Sequence, residues 1–176
     1  EDGFELYVAA GDAKKIWRAL IQGGGMEGIM PAGLGARDSL RLEMGYALYG
    51  NDIDDKHTPL EAGLGWVTKL DKDDFLGKAA LVKQKEAGVR ERLVGFLLKE
   101  KGFPRHGYEV RVNGQPGGEV TSGTVSPTLD QGIGLAYVPA ESAKPGTEIE
   151  IMVRDKAIKA EVTRPPFYKN GSVRKA

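Results

Sequence analysis

The sequence predicts an α+β segment followed by a small six-stranded β-barrel, with domains at 1–89 and 90–176. Three observations lead there. Up to about residue 89 the apolar residues recur at helical spacing between glycine stops. From about residue 90 six short runs rich in Val, Ile and Thr follow, separated by turn residues. The 176 residues are enough to bury a core in one large or two small domains.

The elements follow in order. Phe4, Leu6 and Val8 alternate as in a strand. Asp12 is placed to cap a helix over residues 13–22, with Ala13, Ile16, Trp17, Leu20 and Ile21 on one face and Gly23-Gly24-Gly25 as its stop. A strand followed by a helix packing back on it is half of a ferredoxin-like unit. A second helix is expected over residues 32–44, with Leu34, Leu40, Leu42 and Met44 apolar and Arg37 and Arg41 four apart on a shared face. Residues 46–58 read as an ordered loop, 60–70 as a mostly apolar strand, 71–74 as a turn and 76–87 as a short helix ending at Gly88. The barrel strands are expected at 92–98, 108–112, 119–125, 133–138, 147–153 and 157–163. Asn113-Gly114 suits a tight hairpin turn, and Asp155-Lys156 is placed to close the last one.

Composition narrows the function. Lys+Arg and Asp+Glu both number 25, so no basic excess points to nucleic acid. There is no cysteine, which removes disulfides, thiolate metal sites and a cysteine nucleophile. His57 and His106 are too few for a histidine metal site. The apolar runs fall short of the roughly 20 residues of a membrane helix, and no signal peptide is visible, so a cytoplasmic protein away from membranes is the expectation. The opening Glu1-Asp2-Gly3-Phe4-Glu5 has no methionine and no lead-in before the first strand, and reads as a continuation of a longer polypeptide.

Two charged residues merit a functional reading beside a plain one. Glu5 lies between Phe4 and Leu6, and is either a solvated strand glutamate or a carboxylate accepting two hydrogen bonds from an amidine-like edge such as that of a pterin. Arg37 stands in a helix start lined by Gly33, Gly35 and Ala36, and either pairs with an acid such as Asp38 or Glu61 or offers a planar donor fork to a ligand. Gly77-Lys78 lacks the glycine spacing and Ser/Thr of a phosphate loop, and no Ser-His-Asp grouping stands out.

Several segments resemble the glycine cleavage T-protein (aminomethyltransferase) family. They are Glu1 to Glu5, Ala32 to Glu43 (AGLGARDSLRLE), Leu48 to Ile53 (LYGNDI), Thr58 to Gly65 (TPLEAGLG), Val120 to Leu129 (VTSGTVSPTL) and Pro166 to Lys169. The resemblance is colinear across the chain and implies the C-terminal half of such an enzyme: the end of a ferredoxin-like folate-binding region, then the C-terminal barrel. It implies that Glu5 grips the pterin edge, that Arg37 belongs to the folate site, and that Tyr168 is a further folate-site residue. The family reaction moves the aminomethyl carbon from lipoylated H-protein to tetrahydrofolate, giving methylenetetrahydrofolate and ammonia. The family's catalytic aspartate lies upstream of the Glu1–Glu5 segment, so no catalytic residue is assigned here; the expected partners are H-protein, folate and the missing N-terminal half. Relatives in iron–sulfur assembly carry a cysteine motif where this chain reads Phe75-Leu76-Gly77-Lys78, and are set aside. A stand-alone folate-binding or docking module, and the folate module of a flavin-dependent methylglycine oxidase, are the alternatives.

Overall fold

The computed structural model describes residues 3–170. Its contacts divide the chain into two compact units, Glu1–Asp38 with Lys169–Ala176, and Ser39–Tyr168.

In the first unit, helix α1 (Ala13–Gly24) follows a 3-10 turn at Ala10–Asp12. That turn gives Asp12 helical dihedrals, and its side chain makes no capping hydrogen bond, contrary to the expected N-cap. The glycine run does not stop the helix either. The chain continues through a 3-10 turn at Gly25–Glu27 and reverses at Gly28, whose φ of 77° is left-handed. The expected strand at Phe4–Val8 is absent: no described residue pairs with it, and an extended segment becomes a strand only when a neighbour takes its N–H and C=O groups. None of the described residues of this unit is buried, and Trp17 remains 53% exposed on the apolar face of α1.

Helix α2 (Leu34–Glu43) is shorter than the expected 32–44 and buries a different face. Leu34 and Leu40 are exposed, whereas Leu42 and Glu43 are buried. Its C-terminus closes as a Schellman motif: Tyr46 N–H donates to Arg41 O (2.9 Å) and Gly45 N–H to Leu42 O (2.8 Å), with Gly45 at φ 70°. Gly45 is also where Pro165 packs, since a Cβ there would lie 2.2 Å from the proline Cβ.

The expected strand over 60–70 is a series of turns. Thr58-Pro59-Leu60-Glu61 forms a capping box in which Glu61 N–H donates to Thr58 Oγ1 (3.3 Å) and Thr58 N–H to Glu61 Oε2 (2.8 Å). Ala62 N–H then donates to Thr58 O and Leu64 N–H to Pro59 O, and Gly63 turns left-handed at φ 73°. Helix α3 (Lys78–Ala87) begins two residues after the expected start because Gly77 stands at φ 89°.

The barrel is as expected in strand number and closed. Strands β1 (Glu91–Leu98), β2 (Glu109–Val112), β3 (Gln115–Ser126), β4 (Gln131–Pro139), β5 (Glu148–Val153) and β6 (Lys156–Thr163) run in the order β1-β4-β3-β2-β5-β6, with β6 returning to β1. All neighbours are antiparallel. Asn113 and Gly114 turn at φ 51° and 75°, as the hairpin signal required. The last hairpin turns one residue earlier than expected, with Arg154 at φ 58° and Lys156 already in β6. Period-two alternation sends Val94, Phe96 and Leu98 inward on β1, Ile149 and Ile151 on β5, and Ile158, Ala160 and Val162 on β6. Strand β4 is buried on both faces: Ala136 and Val138 point in, while Ile133 and Leu135 point out to meet Leu42 of α2 and Phe167.

Close strand packing depends on one glycine in particular. A Cβ at Gly134 would lie 2.4 Å from Phe96 Cζ and 2.6 Å from Ser122 O. Gly134→Ala is therefore expected to destabilise the protein by about 1–3 kcal/mol through overpacking, read as a lower urea midpoint with unchanged slope. An unshifted midpoint would show that Phe96 and β3 yield at no cost.

Candidate functional site

The three residues singled out in the sequence fall in different surroundings. Glu5 is exposed in the first unit, and Tyr7 OH donates to its Oε2 at 2.8 Å. Oε1 carries no protein hydrogen bond among the described residues. Arg37 is exposed on α2, in the same unit, with its backbone N–H donating to Gly33 O at 3.3 Å. Tyr168 ends the second unit, half-buried, and its backbone N–H donates to Glu43 O at 3.1 Å.

The second unit holds a polar cluster that was not read from the sequence as a site. Residues 48–53 fold tightly about Asp52: Asp52 N–H donates to Leu48 O (2.8 Å), Leu48 N–H donates to Asp52 Oδ2 (2.9 Å), and Gly50 N–H donates to Ile53 O (2.8 Å). Asp52 is fully buried, and Arg41 Nη1 reaches its Oδ2 at 2.8 Å with the arginine side chain 11% exposed. The same guanidinium donates through Nη2 to Ser122 Oγ (2.9 Å) and through Nη1 to Tyr46 O (3.2 Å). Thr121 Oγ1 donates to Asp52 Oδ1 at 2.5 Å, and Tyr137 OH donates to Asp52 O at 3.0 Å.

Two successive β3 residues reach this pair because the register of β3 against β4 slips between Val120 and Ser122. Successive strand side chains normally point to opposite faces, and a bulge re-aims one of them. Here Thr121 and Ser122 both serve the Asp52–Arg41 pair.

A second buried carboxylate lies at the end of α2. Glu43 is 3% exposed, and its Oε1 accepts from Ser126 Oγ and from Thr128 N–H (3.2 Å), its Oε2 from Thr128 Oγ1 (3.1 Å). Its main-chain oxygen accepts from both Phe167 and Tyr168 N–H. Asp52, Glu43, Thr121, Ser122, Ser126 and Thr128 all fall within the segments that carried the family resemblance. The signal that could have found their role is a charged residue beside an apolar one due for burial, as Glu43 follows Leu42.

His57 stacks on Tyr137, ring centroids 3.8 Å apart and 10° from parallel, with Nδ1 2.8 Å from Asp54 Oδ1 and Nε2 3.4 Å from Glu91 Oε1. Burial pushes the Tyr137 phenol up, aided by the carboxylates of Asp54, Glu61, Glu91 and Asp52, so it remains a hydrogen-bond donor. Burial also pushes the Asp54 carboxyl up, but the Lys56 and His57 backbone N–H groups and the His57 ring outweigh it, and the net displacement is downward.

Comparison with known proteins places these features in a family context. Residues 91–169 match the model of the glycine cleavage T-protein C-terminal barrel domain, and residues 1–72 match that of the GCVT N-terminal domain. An aminomethyltransferase of Halothermothrix orenii is 56% identical over 167 residues, 95% of this chain and 47% of the relative. One from Porphyromonas gingivalis is 56% identical over 170 residues, with the same coverage of 95% and 47%. The crystal structure of the glycine cleavage system aminomethyltransferase T from Bartonella henselae superposes with a TM-score of 0.82 at 35% identity, over 90% of this chain and 44% of that one. The chain thus spans about half the length of the curated relatives it matches.

Two outcomes follow from the cluster. Asp52→Ala removes the buried carboxylate that Arg41 Nη1, Leu48 N–H and Thr121 Oγ1 all meet and is expected to cost about 3–5 kcal/mol, measured by urea unfolding; a loss below about 1 kcal/mol would mean these donors find water. For Asp54, a lowered folded-state value means stabilisation that is present above the ordinary aspartate range and lost as pH falls through the folded value. The stability difference between wild type and Asp54→Asn should be full at neutral pH and shrink below about pH 4; a constant difference down to acid pH would count against the assignment.

Proposed function

The chain belongs to the glycine cleavage T-protein family, and we propose that it provides the folate-facing C-terminal half of a tetrahydrofolate-dependent aminomethyltransferase. In this reading the enzyme takes the aminomethyl carbon from the lipoyl arm of H-protein, releases ammonia and yields methylenetetrahydrofolate. The observation that carries the reading is Glu5: its carboxylate is exposed, is engaged through Oε2 by Tyr7 OH, and takes no hydrogen bond at Oε1 from the described residues. A carboxylate with an open acceptor edge fits the N–H and amino group of a pterin, and the exposed Arg37 guanidinium fits the ligand's heterocycle or carboxylate.

Tetrahydrofolate, when bound, supplies the nitrogen that receives the one-carbon unit. The residues of this chain bind and orient. Glu5 holds the pterin edge through charge-assisted hydrogen bonds, which fixes the rotation of the ring about the carboxylate. By the family resemblance, Arg37 and Tyr168 are further candidate folate-site residues. No residue here takes the part of the catalytic aspartate; Asp38 stands in the arginine helix motif and is not a substitute for it. The acid belongs to the part of the family fold that this chain does not span.

The first unit supports that division. Its amphipathic α1 and the apolar residues Phe4 and Leu6 are uncovered, and none of its described residues is buried. A polypeptide matching the other half of the relatives would cover this face and remove its apolar surface from water.

The test measures methylenetetrahydrofolate formation from aminomethylated H-protein, with this chain alone and mixed with the N-terminal half of an aminomethyltransferase relative. Turnover is expected only in the mixture, and Glu5→Gln should raise KM for tetrahydrofolate by about 10- to 100-fold, the worth of a charge-assisted hydrogen bond. Turnover by the chain alone would overturn the placement of the acid. Absence of folate binding in both samples would overturn the whole reading.

A further inference from the structure

Glu43 is a buried carboxylate with no role in the reaction described above and with an unusual set of partners. Each carboxylate oxygen is engaged from the barrel, Oε1 by Ser126 Oγ and Thr128 N–H, Oε2 by Thr128 Oγ1. Among the described residues no cation meets it, and hydroxyl and amide donors hold the charge. The backbone of the same residue faces the other way. Its carbonyl oxygen accepts from Phe167 N–H at 2.9 Å and from Tyr168 N–H at 3.1 Å.

One residue thereby fixes three pieces of chain: the last turn of α2, the 126–128 turn between β3 and β4, and the segment that ends in Tyr168. The packing around it is equally constrained. Phe167 inserts beside Leu42, Ile133 and Leu135, and Gly95 permits the approach, since a Cβ there would lie 3.0 Å from Phe167 Cζ and 2.9 Å from Pro165 Cγ. The Tyr168 backbone therefore cannot shift along α2 without breaking either its bond to Glu43 O or the seat of Phe167. A buried carboxylate is costly to desolvate, and an apolar side chain beside Leu42 would serve packing alone more cheaply. The cost is justified if register matters.

We propose that Glu43 is a positioning residue for Tyr168: by locking the end of α2 to the β3–β4 turn and to residues 167 and 168, it sets where the Tyr168 phenol is presented to bound folate. This rests on the folate reading above. In Glu43→Gln the amide nitrogen forces a hydroxyl partner to turn from donor to acceptor and the charge is lost, so the charge-assisted hold of the turn on the helix end weakens while side-chain volume is kept.

The experiment is a double-mutant cycle on tetrahydrofolate affinity, using the full chain mixed with the N-terminal half of a relative, and comparing wild type, Glu43→Gln, Tyr168→Ala and the double variant. Amide hydrogen exchange at residues 167 and 168 is followed alongside. Glu43→Gln is expected to weaken folate binding about tenfold in the wild-type background and less than about twofold beside Tyr168→Ala, because its effect passes through that side chain. Exchange should quicken at Phe167 and Tyr168 while the barrel amides of β1 and β4 keep their protection. If Glu43→Gln fails to fold, Ser126→Ala removes a single donor to the carboxylate, and the same non-additivity with Tyr168→Ala is required of it. Equal weakening in both backgrounds, or unchanged affinity, would overturn the positioning role and leave the folate reading standing. No folate binding by the wild-type mixture would overturn the folate reading and this inference together.

Discussion

The second unit is organised around a buried ion pair. Arg41 and Asp52 meet at 2.8 Å with the aspartate wholly out of water. Two charges in such a place are costly to desolvate, and their attraction offsets that only when every remaining donor and acceptor is matched. Here the matching is done from three directions: the Leu48 amide from the aspartate's own turn, the Thr121 and Ser122 hydroxyls from the barrel, and the Tyr46 carbonyl from the helix exit. The geometry of loop, helix end and bulged strand is consequently dictated together.

How much of this was legible in the sequence varies with the physics of each part. The barrel was plain, because period-two alternation and the Asn113-Gly114 turn are local signals that closure only reinforces. The stretch at 60–70 was misread as a strand because its apolar content outweighed the local chemistry, although Thr58-Pro59-Leu60-Glu61 carries both a capping box and a proline suited to the start of a turn. The strand at Phe4–Val8 showed correct alternation, but a strand is a property of two segments, and the described chain offers only one. The Thr121–Asp52 and Ser126–Glu43 bonds were illegible for another reason. They join residues 69 and 83 positions apart, and no local pattern announces which hydroxyl meets which acid.

The charged groups of the molecule divide into two populations with different prospects. Asp52 and Glu43 are buried, and each accepts three hydrogen bonds from protein donors, so their chemistry is spent on geometry. Glu5 and Arg37 stand in water, where a carboxylate and a guanidinium remain able to exchange solvent for a ligand. The resemblance segments contain both populations side by side, with Glu43 following Arg37 in one helix. A motif therefore mixes residues kept for binding with residues kept for architecture, and only burial separates them.

The two-sided burial of β4 has a consequence for how the protein is made. Leu42 is made before its neighbours on the outer face of β4, which follow some ninety residues later, and Phe167 comes later still. Until then the end of α2 has only its Schellman turn to hold it, and the strands beneath it cannot close without β6. Between the synthesis of α2 and that of β6 the nascent chain therefore carries a helix end without its outer packing and an open sheet edge. For this sequence, the final residues of the second unit act as the signal that the earlier ones have been waiting for.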